Sequence, residues 1–306
     1  MNHLVAIVGP TGIGKSKLAL HLAQTFEGEI VSADSRQVYC HMDIGTAKPT
    51  REELSLVPHH LINIVNPDED FSLAQYQGLA HRVVDDIHRR NKLPILVGGS
   101  GMYVWSVLEG WGIPPVPPDP EFRRNLEEKA ARIGGDRLYQ ELEEIDPVAV
   151  QRIDRHNVRR VIRALEVHRD TATPFSQLQY KKAPPFNTLI IGLTLGRAEL
   201  YRRIDLRVDE MIKQGLVDEV KKLMNMGYDY NMSAMSGIGY KQIGMFLKGK
   251  LTLATATQQI KFETHRFVRH QYSWFRLKDE RIHWFDVPGR VDSEISRLIV
   301  SFIKGG

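Results

Sequence analysis

The chain has 306 residues, of which 42% are hydrophobic and 25% are charged, and its formal net charge of +4 is too small to name a partner. These proportions exclude disordered, collagen-like and coiled-coil chains and are typical of a globular protein of one or two domains. The single Cys40 excludes a disulfide framework and a cysteine-based zinc site, and without a signal sequence or a long apolar run we expect a soluble cytoplasmic protein with no membrane attachment.

Strand-like and helix-like segments alternate over the first third of the chain. Residues 3–8 are an apolar run, a glycine-rich turn follows, and KSKLALHLAQTF has helical periodicity before the next apolar run, EIVSAD. This β-α-β order predicts a parallel sheet with right-handed crossovers. The other elements predicted here are a strand at 59–65, a helix at 72–91, and a strand and glycine turn at 93–101 that lead into a further helix.

The alternation stops at GIPPVPPDP, residues 112–120, which hold five of the 15 prolines. Helical patterns without a convincing strand follow, until NTLIIGLTL at 187–195 restores a buried strand. We therefore predict an α/β fold in which residues 1–112 and 187–306 form a parallel sheet flanked by helices, and residues 113–186 form a small all-helical insertion domain. The last third adds predicted helices at 197–226 and about 252–277, a glycine-rich stretch at 236–244, the strand RIHWFDV and a closing helix.

A phosphate-binding motif lies between the first strand and the first helix. Residues 9–16, GPTGIGKS, fit G-x-x-x-x-G-K-[ST] at every fixed position. Its glycines let successive N–H groups point at phosphate oxygens, and the helix N-terminus adds favourable partial charge. Lys15 would meet the terminal phosphate and Ser16 would ligate Mg²⁺. The motif predicts a P-loop-containing sheet that binds a polyphosphate, but it names neither the ligand nor the reaction.

An expected acid is missing from this P-loop pattern. Nucleotide-hydrolysing P-loop proteins carry an apolar strand that ends in Asp for Mg²⁺, whereas PILVGG ends in glycine. The strand that ends in an acid is EIVSAD. Asp34 would therefore lie at the ligand crevice as a Mg²⁺ carboxylate or a general base, and a turn-capping role is the structural alternative.

Two further features leave alternatives open. The glycine turn at 98–101 fits either close helix–strand packing or a second wall of the pocket. Arg207, with Arg202 and Arg203 nearby, suits an anionic ligand, but each is equally compatible with an exposed helix surface.

The small net charge conceals basic segments. Arg152, Arg155, Arg159 and Arg163 recur at three- and four-residue steps, which predicts one helix face. Residues 261–283 combine Lys and Arg with aromatic side chains, and residues 119–146 are acidic. These basic segments are either solvated helix surface or a nucleic-acid interface.

A combination of motifs resembles a known family. The strings GPTGIGKS, SADSRQVYCHMDIGTAKPT, PHHLIN, VGGSGMY and VRRVIRALE are similar to those of bacterial tRNA dimethylallyltransferases, also called tRNA isopentenyltransferases, over nearly the whole chain. The resemblance implies transfer of a dimethylallyl group from dimethylallyl diphosphate to N6 of the adenosine 3′ of the anticodon. It implies that the P-loop, with Mg²⁺, holds the prenyl diphosphate and hydrolyses no nucleotide.

The resemblance also implies residue roles. Asp34 would be the general base, with Lys15, Thr11 and Arg207 as further catalytic residues and Arg207 neutralising the leaving diphosphate. The diphosphate would be held by Gly9, Pro10, Thr11, Gly12, Ile13, Gly14, Lys15 and Ser16. The tRNA anticodon stem-loop would contact Asp34, Ser35, Arg36, Gln37, Ser100, Gly101, Arg123, Arg159, Arg160, Val161, Ile162 and Arg163.

Two other functions are compatible with parts of the sequence. A P-loop kinase for a small molecule or nucleoside fits the first third of the chain, and a non-enzymatic RNA-binding module fits the arginine-rich segments. The missing strand-end Asp and the insertion disfavour the kinase, and the intact P-loop with Asp34 disfavours the pure binder. Ser100 stands where the family usually has Thr, and the eukaryotic zinc-finger extension is lacking, so we expect no zinc. The sequence does not fix the oligomeric state, and a monomer is the working expectation.

Overall fold

A computed structural model describes residues 2–114, 116–178, 180, 185–287 and 291–305. Its centre is a six-stranded sheet in which all pairings are parallel, with the order β3-β2-β4-β1-β5-β6. The strands are β1 (His3–Val8), β2 (Gly28–Ser32), β3 (His59–His60), β4 (Leu93–Val97), β5 (Asn187–Thr194) and β6 (Ile282–Asp286). The predicted α/β fold with a parallel sheet is confirmed.

Fourteen helices are formed by the described residues. They are α1 (Lys15–Thr25), α2 (Arg51–Leu56), α3 (Leu73–Arg89), α4 (Gly101–Leu108), α5 (Pro120–Ile133), α6 (Gly135–Ile145), α7 (Pro147–Val150), α8 (Val158–Thr171), α9 (Phe175–Leu178), α10 (Arg197–Lys213), α11 (Leu216–Asn225), α12 (Tyr240–Leu247), α13 (Leu253–Trp274) and α14 (Val291–Lys304). None of them is long and apolar enough to cross a membrane.

The central strands are buried over their whole length. All six residues of β1 and all five of β2 and β4 are buried. A parallel sheet covered by helices on both faces requires such continuous apolar runs, which explains why these strands do not alternate polar and apolar residues.

Residues 1–108 and 185–306 form one compact unit, and residues 109–184 form a second. The second unit contains α5 to α9 and has its own core, centred on Leu138, Leu142, Val161 and Val167. The predicted division, at 112 and 187, lies within a few residues of these limits. Pro115 of the proline-rich segment and residues 179 and 181–184 of the predicted insertion lie outside the described residues.

Three element predictions need correction. The strand at 59–65 ends at His60, because Leu61 and Asn63 have left-handed φ values of 63° and 55° that no strand accommodates. The helix at 197–226 is two helices, divided at Gly215 with a φ of 100°. The arginine-rich helix α8 begins only at Val158, with Asn157 as its N-cap.

Candidate active site

Three turns lie at the carboxyl ends of neighbouring strands of the sheet. The P-loop follows β1, Asp34 follows β2, the glycine turn follows β4, and β5 lies on the other side of β1. From β1 the chain continues to β2, on one side of β1 in the strand order, and from β4 it crosses to β5, on the other side. The winding of the sheet therefore reverses at β1. Ligands of open α/β sheets bind outside the carboxyl ends of the strands at such a point.

Three glycines give the P-loop its shape. Gly9, Gly12 and Gly14 have φ values of 136°, 80° and 103°, which disfavour any other residue. A Cβ on Gly9 would also lie 2.5 Å from the carbonyl oxygen of Leu193, so the loop fits closely against β5. The side chain of Ile13 is fully buried, and this residue is therefore restricted to a backbone contribution toward a ligand.

Lys15 is held inside the loop. Its Nζ donates to the carbonyl oxygen of Pro10 at 2.7 Å. Burial lowers the pKa of Lys15 to about 7; the nearby Asp34 carboxylate opposes this shift and the Arg207 guanidinium adds to it. The amine is thus poised to gain or hold a proton when an anion arrives.

Arg207, on α10, is the second cation of the site. Burial lowers its pKa, an effect that Asp34 opposes. Among the described residues no group accepts a hydrogen bond from its guanidinium. Its neighbours differ, because Arg202 and Arg203 both pair with Glu199. Of the three arginines, only Arg207 has no carboxylate partner among the described residues.

Asp34 lies in a tight turn at the end of β2. Its Oδ1 accepts from the backbone N–H of Arg36 at 2.8 Å. The Arg36 side chain turns away and donates to the carbonyl oxygens of Ser233 and Ala234. Within the described part of the chain, Asp34 Oδ2 accepts no hydrogen bond. One carboxylate oxygen therefore orients the side chain and the other is free to take a proton.

Two polar residues that are predicted to contact RNA also brace this turn. Gln37 accepts from the Ser32 hydroxyl and donates to the carbonyl oxygens of Thr46 and Ala47. The Ser100 hydroxyl accepts from the backbone N–H of Ser35 at 3.0 Å. These bonds fix the backbone around Asp34.

The glycine turn after β4 makes close packing contacts. A Cβ on Gly98 would lie 2.1 Å from the Ala33 carbonyl oxygen, and one on Gly101 would lie 2.2 Å from the Trp274 ring. The packing interpretation is therefore correct for these two glycines. Because Ser100 between them reaches the Asp34 turn, the segment is also a neighbour of the site.

Gln271, on α13, is a residue that the sequence analysis missed. Its side chain is 3% exposed, its Oε1 accepts from the Thr11 N–H at 2.9 Å, and its Nε2 donates to the Gly99 carbonyl oxygen at 3.0 Å. The available signal was its place on the apolar stripe of α13, three residues after the buried Val268. A lone amide at such a position has to find buried partners.

Comparison with known proteins identifies the family. The sequence model of the IPP transferase family matches residues 37–278. A tRNA dimethylallyltransferase of Dehalococcoides mccartyi is 50% identical over 303 residues, which are 99% of this chain and 93% of the relative. The chain belongs to the IPP transferase family.

Solved structures support the same assignment. A tRNA isopentenylpyrophosphate transferase from Bacillus halodurans matches with a TM-score of 0.73 and 42% identity, over 100% of this chain and 96% of that one. A eukaryotic dimethylallyltransferase, described as acting on tRNA, matches with a TM-score of 0.82 and 26% identity, over 100% of this chain and 80% of that one.

Two arginines that are predicted to contact RNA form internal ion pairs. Arg123 makes two hydrogen bonds to the carboxylate of Glu166, a side chain that is fully buried in the second unit. Arg163 pairs with the same carboxylate and donates to the Val116 carbonyl oxygen. Burying Glu166 requires these cations, which explains why they are here.

The remaining arginines of this segment differ in exposure. Arg159 and Arg160 are exposed, and neither pairs with a carboxylate among the described residues. Val161 and Ile162 are 0% and 2% exposed, so the prediction that they contact RNA is corrected as far as their side chains are concerned. The prediction that four arginines share one helix face is also wrong. Arg152 and Arg155 precede the helix α8, and Arg155 pairs with Asp136.

The aromatic residues near the C-terminus belong to packing contacts. Phe275 is 1% exposed, the Tyr272 hydroxyl lies 3.3 Å from that of Thr194, and the Trp274 ring lies against Gly101. The guanidinium of Arg281 lies 4.4 Å from the centre of the Trp105 ring. Tyr272, Trp274 and Phe275 are therefore engaged within the first unit, whereas Phe262 and Phe267 of the same segment are exposed.

Proposed function

We propose that this protein transfers a dimethylallyl group from dimethylallyl diphosphate to N6 of the adenosine 3′ of a tRNA anticodon and releases diphosphate. The observation that carries the proposal is the grouping of a P-loop lysine, an unpaired arginine and a carboxylate with one free oxygen. Lys15 and Arg207 provide cations for a diphosphate, and Asp34 provides a base beside them. The named relatives act in the same class of reaction.

The P-loop would hold the diphosphate of the prenyl donor. In the described residues the N–H groups of Gly12, Ile13 and Gly14 have no acceptor, and the Thr11 and Ser16 hydroxyls have no partner. Such a row of free donors at the start of α1, with the positive end of the helix behind it, suits an anion. Lys15 and Arg207 would stabilise the charge that grows on the diphosphate as it leaves.

Asp34 would act as the general base. The N6 nitrogen of adenine is a poor nucleophile because its lone pair is delocalised into the ring. In the reaction, N6 forms a bond to C1 of the allyl group, the C1–O bond breaks with its electron pair leaving on the diphosphate, and the N6 proton passes to Asp34. A positioned base typically contributes about 10²–10⁴-fold.

The donor set fits Mg²⁺ if the diphosphate supplies most of the ligands. Among the described residues, no group of three or more His, Cys, Asp or Glu side chains could hold a metal. Mg²⁺ commonly binds through one or two protein oxygens, substrate phosphates and water. The exposed Ser16 hydroxyl would be the protein ligand, and the ion would add positive charge beside the leaving diphosphate.

The tRNA would be bound partly by the second unit. Arg159 and Arg160 are exposed there and pair with no carboxylate among the described residues, and their contacts to phosphates would position the anticodon stem without reading its sequence. The target base lies in a loop, so splaying it out of its stack costs only a few kcal/mol. A tRNA substrate agrees with the cytoplasmic location predicted from the sequence.

A P-loop kinase is the weaker candidate. The strand beside β1, β4, ends at Val97 and is followed by Gly98, so the strand-end Asp for Mg²⁺ is absent from that position.

One assay separates the candidates. Purified protein is incubated with unmodified tRNA, ATP and labelled dimethylallyl diphosphate. We expect label in the tRNA with the unaltered protein, a loss of at least about a hundredfold with Asp34→Asn, and little ATP consumption. ATP consumption without label in the tRNA would refute the proposed function. Lys15→Ala should weaken the binding of the prenyl donor and leave the affinity for tRNA nearly unchanged.

A further inference from the structure

Gln271 joins two segments that are distant in sequence. Its amide oxygen accepts from the N–H of Thr11 in the P-loop, and its amide nitrogen donates to the carbonyl oxygen of Gly99 in the turn after β4. A Cβ on Gly99 would lie 2.2 Å from the Gln271 amide nitrogen and 3.4 Å from the Gly9 carbonyl oxygen. The side chain therefore fills the space between the two turns.

The end of α13 is fixed independently of this amide. The Trp105 Nε1–H donates to the carbonyl oxygen of Trp274 at 3.1 Å, and the Trp274 ring lies against Gly101. Because α13 is anchored by these contacts, the Gln271 amide acts as a fixed reference point for the P-loop. Removing the amide would free Thr11 without detaching the helix.

The hydrogen bond at Thr11 divides the donors of the P-loop into two groups. The Thr11 N–H is used by Gln271, whereas the N–H groups of Gly12, Ile13 and Gly14 have no acceptor among the described residues. Without Gln271 the Thr11 N–H would be unpaired. The loop would then be free to rotate, and this N–H would become an additional donor at a position displaced from the other donors. A shift of about 1 Å in a binding group costs on the order of a hundredfold in rate.

We propose that Gln271 is a positioning residue for the diphosphate of the prenyl donor. It orients the P-loop through Thr11, so that the Thr11 hydroxyl and the following N–H groups meet the diphosphate in the ground state and as it leaves. The inference rests on the proposed function, because it takes the P-loop to be the prenyl diphosphate site.

Two substitutions test this role. Gln271→Leu removes both hydrogen bonds at similar size, and Gln271→Glu removes the donor to Gly99 while keeping the shape. Gln77→Glu is the matched control, since the Gln77 amide nitrogen likewise donates to a backbone carbonyl oxygen, that of Ser106, at 2.7 Å on another part of the unit.

We expect both Gln271 variants to raise the KM for dimethylallyl diphosphate about 10- to 100-fold, to weaken the binding of inorganic diphosphate by calorimetry, and to leave the KM for tRNA unchanged. Gln77→Glu should change none of the three. If Gln271 only supports folding, the variants will instead lower kcat in proportion to the folded fraction, with both KM values unaltered, and this would overturn the proposal.

Acid rescue provides a second readout. A protonated carboxyl at position 271 is isosteric with the amide: its carbonyl oxygen accepts from Thr11 and its O–H donates to Gly99. We therefore expect Gln271→Glu, but not Gln271→Leu, to regain kcat/KM as the pH falls. The rates are divided by those of the unaltered protein at each pH, which cancels the ionisations that both proteins share.

The outcomes distinguish the two proposals. If the unaltered protein transfers no prenyl group, the proposed function fails. If it is active and Gln271→Leu has unchanged KM values and diphosphate affinity, only the positioning role fails.

Discussion

Ser100 and Ser35 are hydrogen-bonded to each other across 65 residues of sequence. The Ser35 N–H donates to the Ser100 hydroxyl at 3.0 Å, and the Ser100 hydroxyl in turn donates to the Ser35 hydroxyl at 3.2 Å. Since Ser35 follows Asp34 directly, this contact links the turn after β4 to the position of the carboxylate.

Removing the Ser100 hydroxyl should therefore misplace Asp34. We expect Ser100→Ala to lower kcat about tenfold with little change in the KM for dimethylallyl diphosphate, because the loss affects the base and not the diphosphate site. Ser100→Thr keeps the hydroxyl and should retain most of the activity. Steady-state kinetics with saturating tRNA measure both, and equal kcat values for the Ala and Thr variants would contradict the role.

The lowered pKa of Lys15 predicts how diphosphate binding depends on pH. The amine of the free protein loses its proton as the pH rises through about 7, so its contribution to anion binding is present below that value and declines above it. Bound diphosphate favours the charged amine, which moves the decline to higher pH in the complex.

Calorimetry of inorganic diphosphate at several pH values tests this dependence. Diphosphate itself gains charge with pH, so the affinity is divided by that of Lys15→Met, which lacks the amine. We expect the ratio to fall by about tenfold or more as the pH rises from 6 to 9. A ratio that stays constant would show that Lys15 keeps its charge throughout.

Arg159 and Arg160 should contribute to tRNA binding through phosphate contacts. Replacing either by Ala should weaken binding similarly for all tRNAs and reduce the slope of log K against log salt concentration by about 1, because fewer counterions are released. Filter binding between low and physiological salt measures the slope. An unchanged slope in the double variant would exclude the phosphate contacts.

Arg123, in contrast to Arg159 and Arg160, should contribute to the stability of the protein. Its guanidinium satisfies the buried Glu166, so Arg123→Ala should destabilise the second unit by about 1–3 kcal/mol through an underpaired carboxylate. Thermal unfolding should show this loss, whereas Arg160→Ala should unfold like the unaltered protein. A Tm for Arg123→Ala equal to that of the parent would argue against this structural role.

Glu219 should hold the segment that follows the Asp34 turn. Its carboxylate accepts from the backbone N–H groups of Asp43, Ile44 and Gly45 and from the Tyr240 hydroxyl. Burial and the nearby Glu219 raise the pKa of Tyr240, so this hydroxyl stays protonated and donates.

Glu219→Ala leaves these donors unpaired, and we expect a loss of at least about 2 kcal/mol in the free energy of unfolding. The neighbouring Asp218 is exposed, so Asp218→Ala is the control and should change stability by less than about 0.5 kcal/mol. Chemical denaturation of both variants gives the comparison. Equal midpoints and slopes would mean that the hydrogen bonds from the N–H groups of residues 43–45 to Glu219 do not contribute to stability.

Much of the fold could be read from local patterns. The strand at 3–8, the P-loop and the helix after it were predicted because their signals are contiguous: an apolar run, glycines at fixed spacing and helical periodicity. The strand predicted at 59–65 failed beyond His60, because an apolar composition does not reveal the left-handed residues Leu61 and Asn63. The prediction of a common arginine face was wrong, because spacing alone does not show that the helix starts at Val158.

The candidate site was predictable in its elements but less so in its contacts. Lys15, Asp34 and Arg207 were selected by motif, and in the structure the Asp34 carboxylate is close enough to oppose the lowered pKa of both Lys15 and Arg207. Gln37 and Ser100 stay predicted tRNA contacts, and the structure adds that both brace the Asp34 turn. Their bonds depend on which backbone groups lie beside them, and spacing along the chain does not show this.

The sequence by itself determined the phosphate-binding loop, the parallel sheet, the helical interruption and the family resemblance, because each depends on residue types at short, fixed spacings. Only the tertiary structure decided which polar side chains serve the site and which serve packing. Gln271 lies 260 residues from Thr11, and Glu166 lies 43 residues from Arg123. A buried polar group has to find a partner, but the identity of that partner is set by how the chain folds back on itself.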